Sequence, residues 1–481
     1  MARIKRRDFL ASGLVVIGAT IAGPALWRRA LAAPAQTAVS PYGPLLAPDA
    51  NGVRLPEGFT SRVIARSLAA VGLTTYLWHV FPDGGATYPV DDGGWIYVSN
   101  SEVPGGLGGV GAIRFAPDGD IVDAYPILQG SSSNCAGGPT PWGTWLSCEE
   151  SDTGRVWECD PYGVKPAVAL PAMGVFTHES AAVDEVRRRV YLTEDEGDGR
   201  FYRFTPASYP DLSSGRLAVA RVHDMKAVEK GGRSQVSWIE VPDPSASSGT
   251  TRTQVPTSTP FDGGEGTWFD SGIVYFTSKG DNRVWAFDTL DDTIEILYDD
   301  DLTPNPPLSG VDNVFVSRAS GDLFVAEDGG DLQVVMITPN RTVAPLLQVV
   351  GTEHQSSELA GPAMNPAQDR FYFSSQRGNA FGMTFEISGP FRRTPPTQVL
   401  ASSTVKVNET PIGDTDRETE VLSAALPNTG PPYAPTFATG RRRRSRTTEN
   451  DGIGVAAALG AAAVAGATGY VLKRLGSDDE A

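Results

Sequence analysis

The chain has 481 residues, of which 40% are hydrophobic, and a formal net charge of −17. This length allows two or three domains, and the acidic charge argues against nucleic acid as a partner. Four histidines are too few for a His-rich zinc site of the usual kind.

The N-terminus has the order of an export signal. Lys5-Arg6-Arg7 is followed by Asp8-Phe9-Leu10, by an apolar run over residues 14–26, and by Ala30-Leu31-Ala32. Charged, apolar and small-residue segments in this order are typical of a cleaved signal. The paired arginines before Phe-Leu indicate the twin-arginine route. We therefore expect residues 1–32 to be a signal peptide, with an uncut N-terminal anchor as the alternative.

A repeated pattern fills residues 50–400. A short β-type run ends in small, often acidic, residues, then a Gly-, Asp- or Asn-containing turn leads to a second β-type run, as in a hairpin. The first runs begin at Trp95, Trp145, Val190, Val274, Leu323 and Phe371. Their spacing of about 45–50 residues, apart from one longer gap, predicts an all-β, six-bladed β-propeller with about four strands per blade.

The longer gap lies between the third and fourth repeats. Residues 206–261 hold two more β-type runs and a Ser/Thr/Pro-rich loop at residues 242–260. We interpret them as an insertion between blades three and four, and a seventh blade is the less favoured alternative. The run that begins at Phe59 is expected to supply the strand that closes the ring.

The C-terminal part predicts a linker and a tail. Residues 402–451 are rich in Pro, Thr and Arg, which is typical of a disordered linker. Residues 452–472 carry no charge and could cross a bilayer, which would hold the protein at the outer face of the cell membrane. Arg441-Arg-Arg-Arg-Ser-Arg446 opposes the positive-inside rule, and Leu426-Pro-Asn-Thr-Gly430 resembles a sortase sorting motif. Processing at that motif and an unanchored tail are therefore the alternatives.

Three cysteines are present, an odd number for an exported protein. Cys148 and Cys159 lie on opposite arms of one predicted hairpin and could pair. Cys135 lies in a loop before a predicted inner strand. It is either a small buried hydrophobe or a thiolate ligand of a transition metal.

The loops that precede the predicted inner strands each carry a candidate metal ligand, because inner strands line a propeller's central channel. The candidates are Cys135, Glu179, Glu265 and Asp312, with His79 or Asp83 in the first repeat. Carboxylates held close together repel, and a bound cation removes that cost. Oxygen ligands favour Ca²⁺ or Mn²⁺, whereas a thiolate favours a metal such as iron. We predict a metal cluster at one mouth of the channel.

The acidic strand ends form a second set of candidate ligands. They could bind further Ca²⁺ or simply be solvated, and they are Glu149, Glu150, Glu194, Asp195, Glu196, Glu327 and Asp328.

These loops resemble those of the PhoX-type alkaline phosphatases, a twin-arginine-exported propeller family. The matching segments begin at Asn134-Cys-Ala-Gly-Gly-Pro, Met173-Gly-Val-Phe-Thr-His-Glu, Tyr191-Leu-Thr-Glu-Asp-Glu and Val311-Asp-Asn-Val. The resemblance covers residues 50–390. It implies a six-bladed propeller that binds iron and several Ca²⁺ ions and cleaves phosphate esters. It also implies Cys135, Glu179 and Glu265 as iron-site ligands, and Asn100 and Glu102 as residues near calcium.

One position departs from the family pattern. Gly263-Gly264-Glu265 stands where the family has Arg-Pro-Glu, whose Arg holds phosphate. A bidentate Arg–phosphate contact is hard to replace. Lys279 and Arg377, which follow predicted inner strands, are the candidates to replace it.

We therefore predict an exported, monomeric, metal-dependent phosphatase that hydrolyses small-molecule phosphate esters with calcium and iron as cofactors. Its metal ions would hold an activated oxygen nucleophile, and we assign no catalytic side chain. The alternatives are another metal-dependent propeller hydrolase, such as a lactonase-like enzyme, and a non-catalytic calcium-binding surface protein.

Overall fold

The computed structural model describes residues 34–393 except residue 304. The predicted signal peptide, linker and C-terminal tail lie outside the described residues. Strands make up most of the regular structure, which confirms the predicted all-β class. No helix within residues 34–393 is long and apolar enough to span a bilayer.

The first two repeats each form a four-stranded antiparallel sheet. Three short strands precede them: β1 (Gln36–Thr37), β2 (Val53–Arg54) and β3 (Thr60–Arg66). The first sheet contains β4 (Pro82–Pro89), β5 (Trp95–Ser101), β6 (Gly108–Phe115) and β7 (Ile121–Ser131). The second contains β8 (Asn134–Pro139), β9 (Trp145–Glu149), β10 (Val156–Cys159) and β11 (Val168–Ala169), followed by a 3₁₀ turn at Pro171–Met173.

The third and fourth repeats share one nine-stranded sheet. The third contributes β12 (His178–Asp184), β13 (Arg189–Glu194), β14 (Phe201–Ser208), β15 (Asp211–Val222), the helix α1 (Met225–Glu229) and β16 (Ser234–Glu240). A 3₁₀ turn at Thr251–Thr253 leads to β17 (Gly264–Asp270), β18 (Ile273–Ser278), β19 (Arg283–Asp288) and β20 (Thr293–Asp299). Strand β16 pairs with β20 and joins the two halves. Residues 206–261 thus extend existing sheets and form no separate sheet.

The last two repeats recruit the N-terminal strands. After a 3₁₀ turn at Asp300–Leu302 come β21 (Val311–Val316), β22 (Leu323–Glu327), β23 (Gln333–Ile337) and β24 (Thr342–Val349). After another at Thr352–His354 come β25 (Leu359–Met364), β26 (Arg370–Ser375), the turn Gly378–Ala380 and β27 (Met383–Ser388). Both β1 and β2 pair with β24, and β3 pairs with β27. The run at Phe59 therefore completes the last sheet, as predicted.

The first strands of successive repeats contact one another in a closed ring and are the inner strands. The prediction was wrong here, because it placed loops at these positions and took the following strands, such as β5 and β9, as the inner ones. The contacts run from β4 to β8, β12, β17, β21 and β25, and from β25 back to β4. Each repeat is an antiparallel meander that leads away from this ring. The arrangement is propeller-like, with the inner strands around a central channel.

Small residues let the inner strands approach closely. A Cβ added to Gly84 would lie 2.6 Å from the Cα of Ala136, and one added to Gly266 would lie 2.6 Å from the Cα of Asn313. Any side chain there would force neighbouring strands apart, because real Cβ contacts are longer. The channel is therefore narrow, and this brings side chains of different repeats together.

Aromatic and aliphatic side chains fill the space between neighbouring repeats. Tyr97 stacks on Tyr372 with ring centroids 5.0 Å apart, and Phe201 stacks on Phe276 at 4.3 Å. Each pair joins two adjacent repeats, and burial of such rings is a major stabilising term. The channel side chains thus rest on a rigid core.

The suggested Cys148–Cys159 pairing does not form. All three cysteines are free and buried. Across the hairpin, Cys148 is opposite Val156 and Cys159 is opposite Trp145. Side chains alternate along a strand, so a residue three positions from Val156 points to the other face of the sheet. The two thiols consequently pack in different hydrophobic cores, one on each side of the sheet.

Candidate metal centre

Each repeat positions one residue by the same backbone hydrogen bond. The residue directly after the second strand donates its N–H to the carbonyl oxygen of a residue just before or at the start of the inner strand. The donor–acceptor pairs are Glu102–Phe81, Glu150–Ser133, Asp195–Thr177, Lys279–Gly263, Asp328–Gly310 and Gln376–Glu358, at 2.7–3.2 Å. We call the six donors the strand-end ring.

A second ring lies two residues after each of these acceptors. We call it the inner-strand ring; it consists of Asp83, Cys135, Glu179, Glu265, Asp312 and Ala360. The register between first and second strands shifts here in every repeat, for example between Asn134 and Gly137 and between His178 and Ala181. Such β-bulges change the direction of a side chain. In the first five repeats this change directs a carboxylate or thiol toward the channel.

The two rings meet in one acidic cavity of about 260 Å³. Nine carboxylates, one thiol and two cationic groups line it together. These side chains are Asp83, Glu102, Cys135, Glu150, Glu179, Asp195, Glu265, Lys279, Asp312, Asp328, Glu358 and Arg377. The structure thus brings together the predicted ligands Cys135, Glu179, Glu265 and Asp312. Four predicted strand-end acids join them in the cavity lining: Glu102, Glu150, Asp195 and Asp328.

Burial and mutual repulsion raise the pKa values of these acids. Burial is the main cause, followed by neighbouring carboxylates, for the pKa values well above the usual range of Asp83, Glu150, Glu179 and Asp312. Burial raises the pKa of Glu265 and of Glu358 to about 8. It also raises the pKa of the Cys135 thiol. A bound cation would reverse this by favouring the charged forms.

Three groups of side chains in the cavity have ligand atoms within 4.8 Å of one another. They are Cys135–Glu150–Glu179, Glu179–Glu265–Asp312 and Asp83–Glu102–Glu358. Glu179 belongs to two groups, is fully buried, and has no hydrogen-bond partner for either carboxylate oxygen among the described residues. Burying such a group without a partner is costly. Glu179 therefore fits a ligand shared by two metal ions.

Each of the two cationic side chains is held by carboxylates. The Lys279 ammonium lies 2.5 Å from Glu265 Oε1, with Asp328 and Asp195 nearby. Arg377 donates from Nε to Glu358 at 2.8 Å and from Nη2 to Glu102. Both candidates for the missing phosphate-binding cation thus reach the cavity. Each of them is paired there with at least two carboxylates.

Two predicted ligands, Glu149 and Asn100, form hydrogen bonds with backbone groups. Glu149 accepts hydrogen bonds from the N–H groups of Ser132 and Arg155, each at 3.1 Å. Asn100 donates to the carbonyl oxygens of Cys135 and Ala136 and accepts from Trp145 and Ser147. Neither side chain lines the cavity. Asn100 instead fixes the bulge that carries the Cys135 thiol.

Two more predicted calcium ligands, Glu194 and Glu196, surround an arginine. Arg252 Nη1 lies 3.3 Å from a carboxylate oxygen of each, and Arg252 Nε lies 2.9 Å from Asp198. Burial raises the pKa of Glu194 to about 7. Arg252 belongs to the insertion at residues 206–261. Its guanidinium occupies the place between these carboxylates where a Ca²⁺ ion was predicted.

In the first repeat the structure selects Asp83 over His79. Asp83 lines the cavity, and its Oδ2 lies 3.4 Å from Cys135 Sγ. His79 is outside the cavity lining. Its Nε2 lies 3.3 Å from Ser99 Oγ, and burial lowers its pKa to about 3. It is neutral and half-buried.

The sequence analysis missed Glu358, which lines the cavity from the sixth repeat. The inner-strand ring has Ala360 there, and Glu358 lies two residues earlier. Its repeat position is the one held by Gly263 in the fourth repeat. Comparing residues on both sides of the inner-strand position across repeats would have found it.

Gly263 adopts a backbone conformation that disfavours an arginine. Its φ is +64°, and an added Cβ would lie 3.3 Å from Asp195 Oδ1 and 3.6 Å from Lys279 Cβ. Positive φ is strained for residues that carry a side chain. The local backbone therefore favours glycine at the position where the family has arginine. The Cβ atom of Lys279 lies next to this position.

A protein-family model matches the middle of the chain. The family model for alkaline phosphatase PhoX matches residues 100–293. That segment includes Cys135, Glu179 and Glu265, and the match confirms the resemblance predicted from the sequence. A search of the curated proteins finds no match.

Two solved structures resemble the chain to different degrees. Pseudomonas fluorescens PhoX in complex with vanadate, a transition state analogue, is 15% identical with a TM-score of 0.59, covering 74% of this chain and 98% of that chain. A gluconolactonase from Xanthomonas campestris is 13% identical with a TM-score of 0.40, covering 73% and 99% of the two chains. The likeness to PhoX shows the fold.

Proposed function

We propose that this chain is a metal-dependent, phosphatase-like six-bladed propeller that hydrolyses small-molecule phosphate esters in the acidic cavity. The match to the PhoX family model supports the activity, and the closed ring of six inner strands supports the blade count. The observation that carries the proposal is Glu179, whose two oxygens are buried without a partner among the described residues and are shared by two ligand groups.

The donor sets divide the cavity by metal preference. Cys135 with Glu150 and Glu179 combines a thiolate and carboxylates, which suits iron. Glu179 with Glu265 and Asp312 offers only oxygen atoms, which suits Ca²⁺. When bound, these ions would polarise phosphoryl oxygens and lower the pKa of a bound water. The carboxylates' part is to hold the ions.

Arg377 is the better candidate for phosphate binding. Its planar guanidinium has five N–H donors in a fork that matches phosphate. The contacts to Glu358 and Glu102 use Nε and one N–H of Nη2, so Nη1 and the second N–H of Nη2 would be the donors that bind phosphate. Those acids and the Phe81 ring, 5.2 Å from the guanidinium carbon, fix the fork at the cavity wall. Arg377 would then orient the phosphoryl group in place of the arginine that the family has at the position of Gly263.

The test is metal analysis combined with turnover. We expect the purified protein to contain iron and Ca²⁺ and to hydrolyse an aryl phosphate monoester, with activity lost on chelation. Glu179→Gln should lose bound metal and turnover together while remaining folded. A protein that holds metal but hydrolyses neither phosphate mono- nor diesters would refute the phosphatase proposal and leave a metal-binding propeller.

We also propose that the protein is exported by the twin-arginine route, is monomeric, and is held at the membrane by residues 452–472. The Arg6-Arg7 pair supports export, and the uncharged C-terminal run supports attachment to the membrane. Lys substitution of both arginines should retain the precursor inside the cell. Release of the protein by alkaline extraction of membranes would contradict the spanning tail.

A further inference from the structure

We infer that the ammonium group of Lys279 takes the place of one divalent cation in the acidic cavity. Lys279 Nζ lies 2.5 Å from Glu265 Oε1, 3.3 Å from Asp328 Oδ2 and 3.6 Å from Asp195 Oδ2. Three carboxylates from three different repeats thus converge on one cation. This is the arrangement of a cation site, with a side chain in place of the ion.

The strand-end ring shows how this arrangement arises. Glu102, Glu150, Asp195 and Asp328 give the ring four acids, and Gln376 is neutral. Lys279 is the one cationic member of that ring, all of whose residues are described. The repeat before Lys279 contributes Asp195 and the repeat after it contributes Asp328. Lys279 therefore has an acid of the same ring on each side.

The grouping of the nine cavity carboxylates leads to the same conclusion. Seven of them belong to the three groups whose ligand atoms lie within 4.8 Å of one another. The remaining two are Asp195 and Asp328, and both face Lys279. A divalent ion at this point would be a few ångströms from the ammonium, and like charges at that distance repel strongly. Lys279 therefore excludes a metal ion from this corner.

One consequence is a lower metal stoichiometry than the number of acids suggests. The ammonium neutralises one charge and directs its three N–H donors to three carboxylates, so this corner holds no divalent ion that could polarise a substrate oxygen. The inference rests on the proposed metal binding in the same cavity, and it does not depend on phosphate ester hydrolysis.

The experiment is Ca²⁺ titration of the chelator-stripped full-length protein, by calorimetry and equilibrium dialysis, for wild type, Lys279→Met and Lys279→Arg. We expect Lys279→Met to bind one more equivalent of Ca²⁺ per chain than wild type. Lys279→Arg retains the charge and should match wild type. Equal stoichiometry in Lys279→Met and wild type, or loss of an ion in Lys279→Met, would overturn the inference.

Asp328→Asn provides a second test if Lys279→Met fails to fold. Asp328 neutralises Lys279 rather than ligating metal, so this variant should bind as many Ca²⁺ ions as wild type, and a lost equivalent would overturn the inference. An extra ion in Lys279→Met, with no phosphate ester hydrolysis by the metal-loaded wild type, would uphold the inference and refute the proposed function. Absence of Ca²⁺ binding in wild type and in every folded variant would overturn both.

Discussion

Glu149 and Glu150 are adjacent in the chain but point to opposite sides of the same strand end. Glu149 bridges two backbone N–H groups within its own repeat, whereas Glu150 lines the acidic cavity. Glu327 and Asp328 divide in the same way, since Glu327 accepts from the N–H groups of Ser309 and Gln333. The first acid of each pair shapes the hairpin, and the second faces the channel.

This division predicts different outcomes for two neighbouring substitutions. Glu149→Gln replaces one acceptor oxygen by an amide that faces a backbone N–H, so we expect the free energy of unfolding to fall by about 1–3 kcal/mol. Glu150→Gln should instead lower the bound metal content with little loss of stability in the metal-free protein. Urea unfolding and elemental analysis of both variants check this. Metal loss in Glu149→Gln with full stability would contradict the assignment.

Cys135 is expected to determine iron content. Cys135→Ala removes the one thiol in the cavity, and iron bound per chain should fall to near zero while the fold is retained. Cys148→Ala is the matched control, because Cys148 is equally buried but lies in a hydrophobic core. It should keep its iron and lose about 1 kcal/mol of stability. Unchanged iron in Cys135→Ala would refute the ligand assignment.

Arg377 is expected to act on phosphate through its fork. Arg377→Lys keeps the charge but loses the planar donor pair, so kcat/KM for an aryl phosphate should fall about 10- to 100-fold, the equivalent of one charge-assisted hydrogen bond. The control is Arg370→Lys, which alters a guanidinium paired with Glu386 outside the cavity. Equal kinetic effects of the two substitutions would show that Arg377 has no special role.

The period of the strands and turns predicted the fold class, because alternation and turn residues are local properties. Repeat equivalence also predicted that Cys135, Glu179, Glu265 and Asp312 would converge. The sequence could not predict which of Glu149 and Glu150 faces the channel. That choice depends on the register at the strand end, and a shift of one residue would exchange the two directions. The same dependence on register explains the wrong Cys148–Cys159 pairing.

Long-range partners were beyond the reach of sequence patterns. Arg252 lies more than fifty residues from Glu194 in the chain, and only the folded insertion brings them together. Glu358 was not predicted because it lies two residues before Ala360, the position that carries the candidate ligand in the other repeats. The bulge of the sixth repeat also falls one residue later than in the others, between Ala360 and Ala363. The acid that faces the cavity then comes from before the strand.

Arg252 is expected to stabilise the insertion by holding Glu194. The Glu194 side chain is fully buried and Arg252 is mostly buried, so Arg252→Met leaves a buried carboxylate without its cation. We expect a loss of about 1–3 kcal/mol at pH 8, because Glu194 keeps its hydrogen bonds from the Arg200 N–H and the Tyr202 hydroxyl. The loss should be smaller at pH 5, where Glu194 is protonated, since its pKa is about 7. The double variant with Glu194→Gln should recover stability, and no recovery would contradict this pairing.

The buried acids predict that the metal-free protein loses stability as pH rises. The pKa of Glu265 and of Glu358 is about 8 in the folded state, against 4.5 for a solvated glutamate. Between these values the folded state binds more protons than the unfolded state, so the free energy of unfolding decreases with pH. Each such group contributes up to about 1.4 kcal/mol per pH unit. Urea unfolding in chelator at pH 5, 6, 7 and 8 measures the slope, and saturating Ca²⁺ should make it shallower, because bound cations favour the ionised acids. A metal-free protein that became more stable from pH 5 to pH 8 would show that these carboxylates are not buried together as the structure has them.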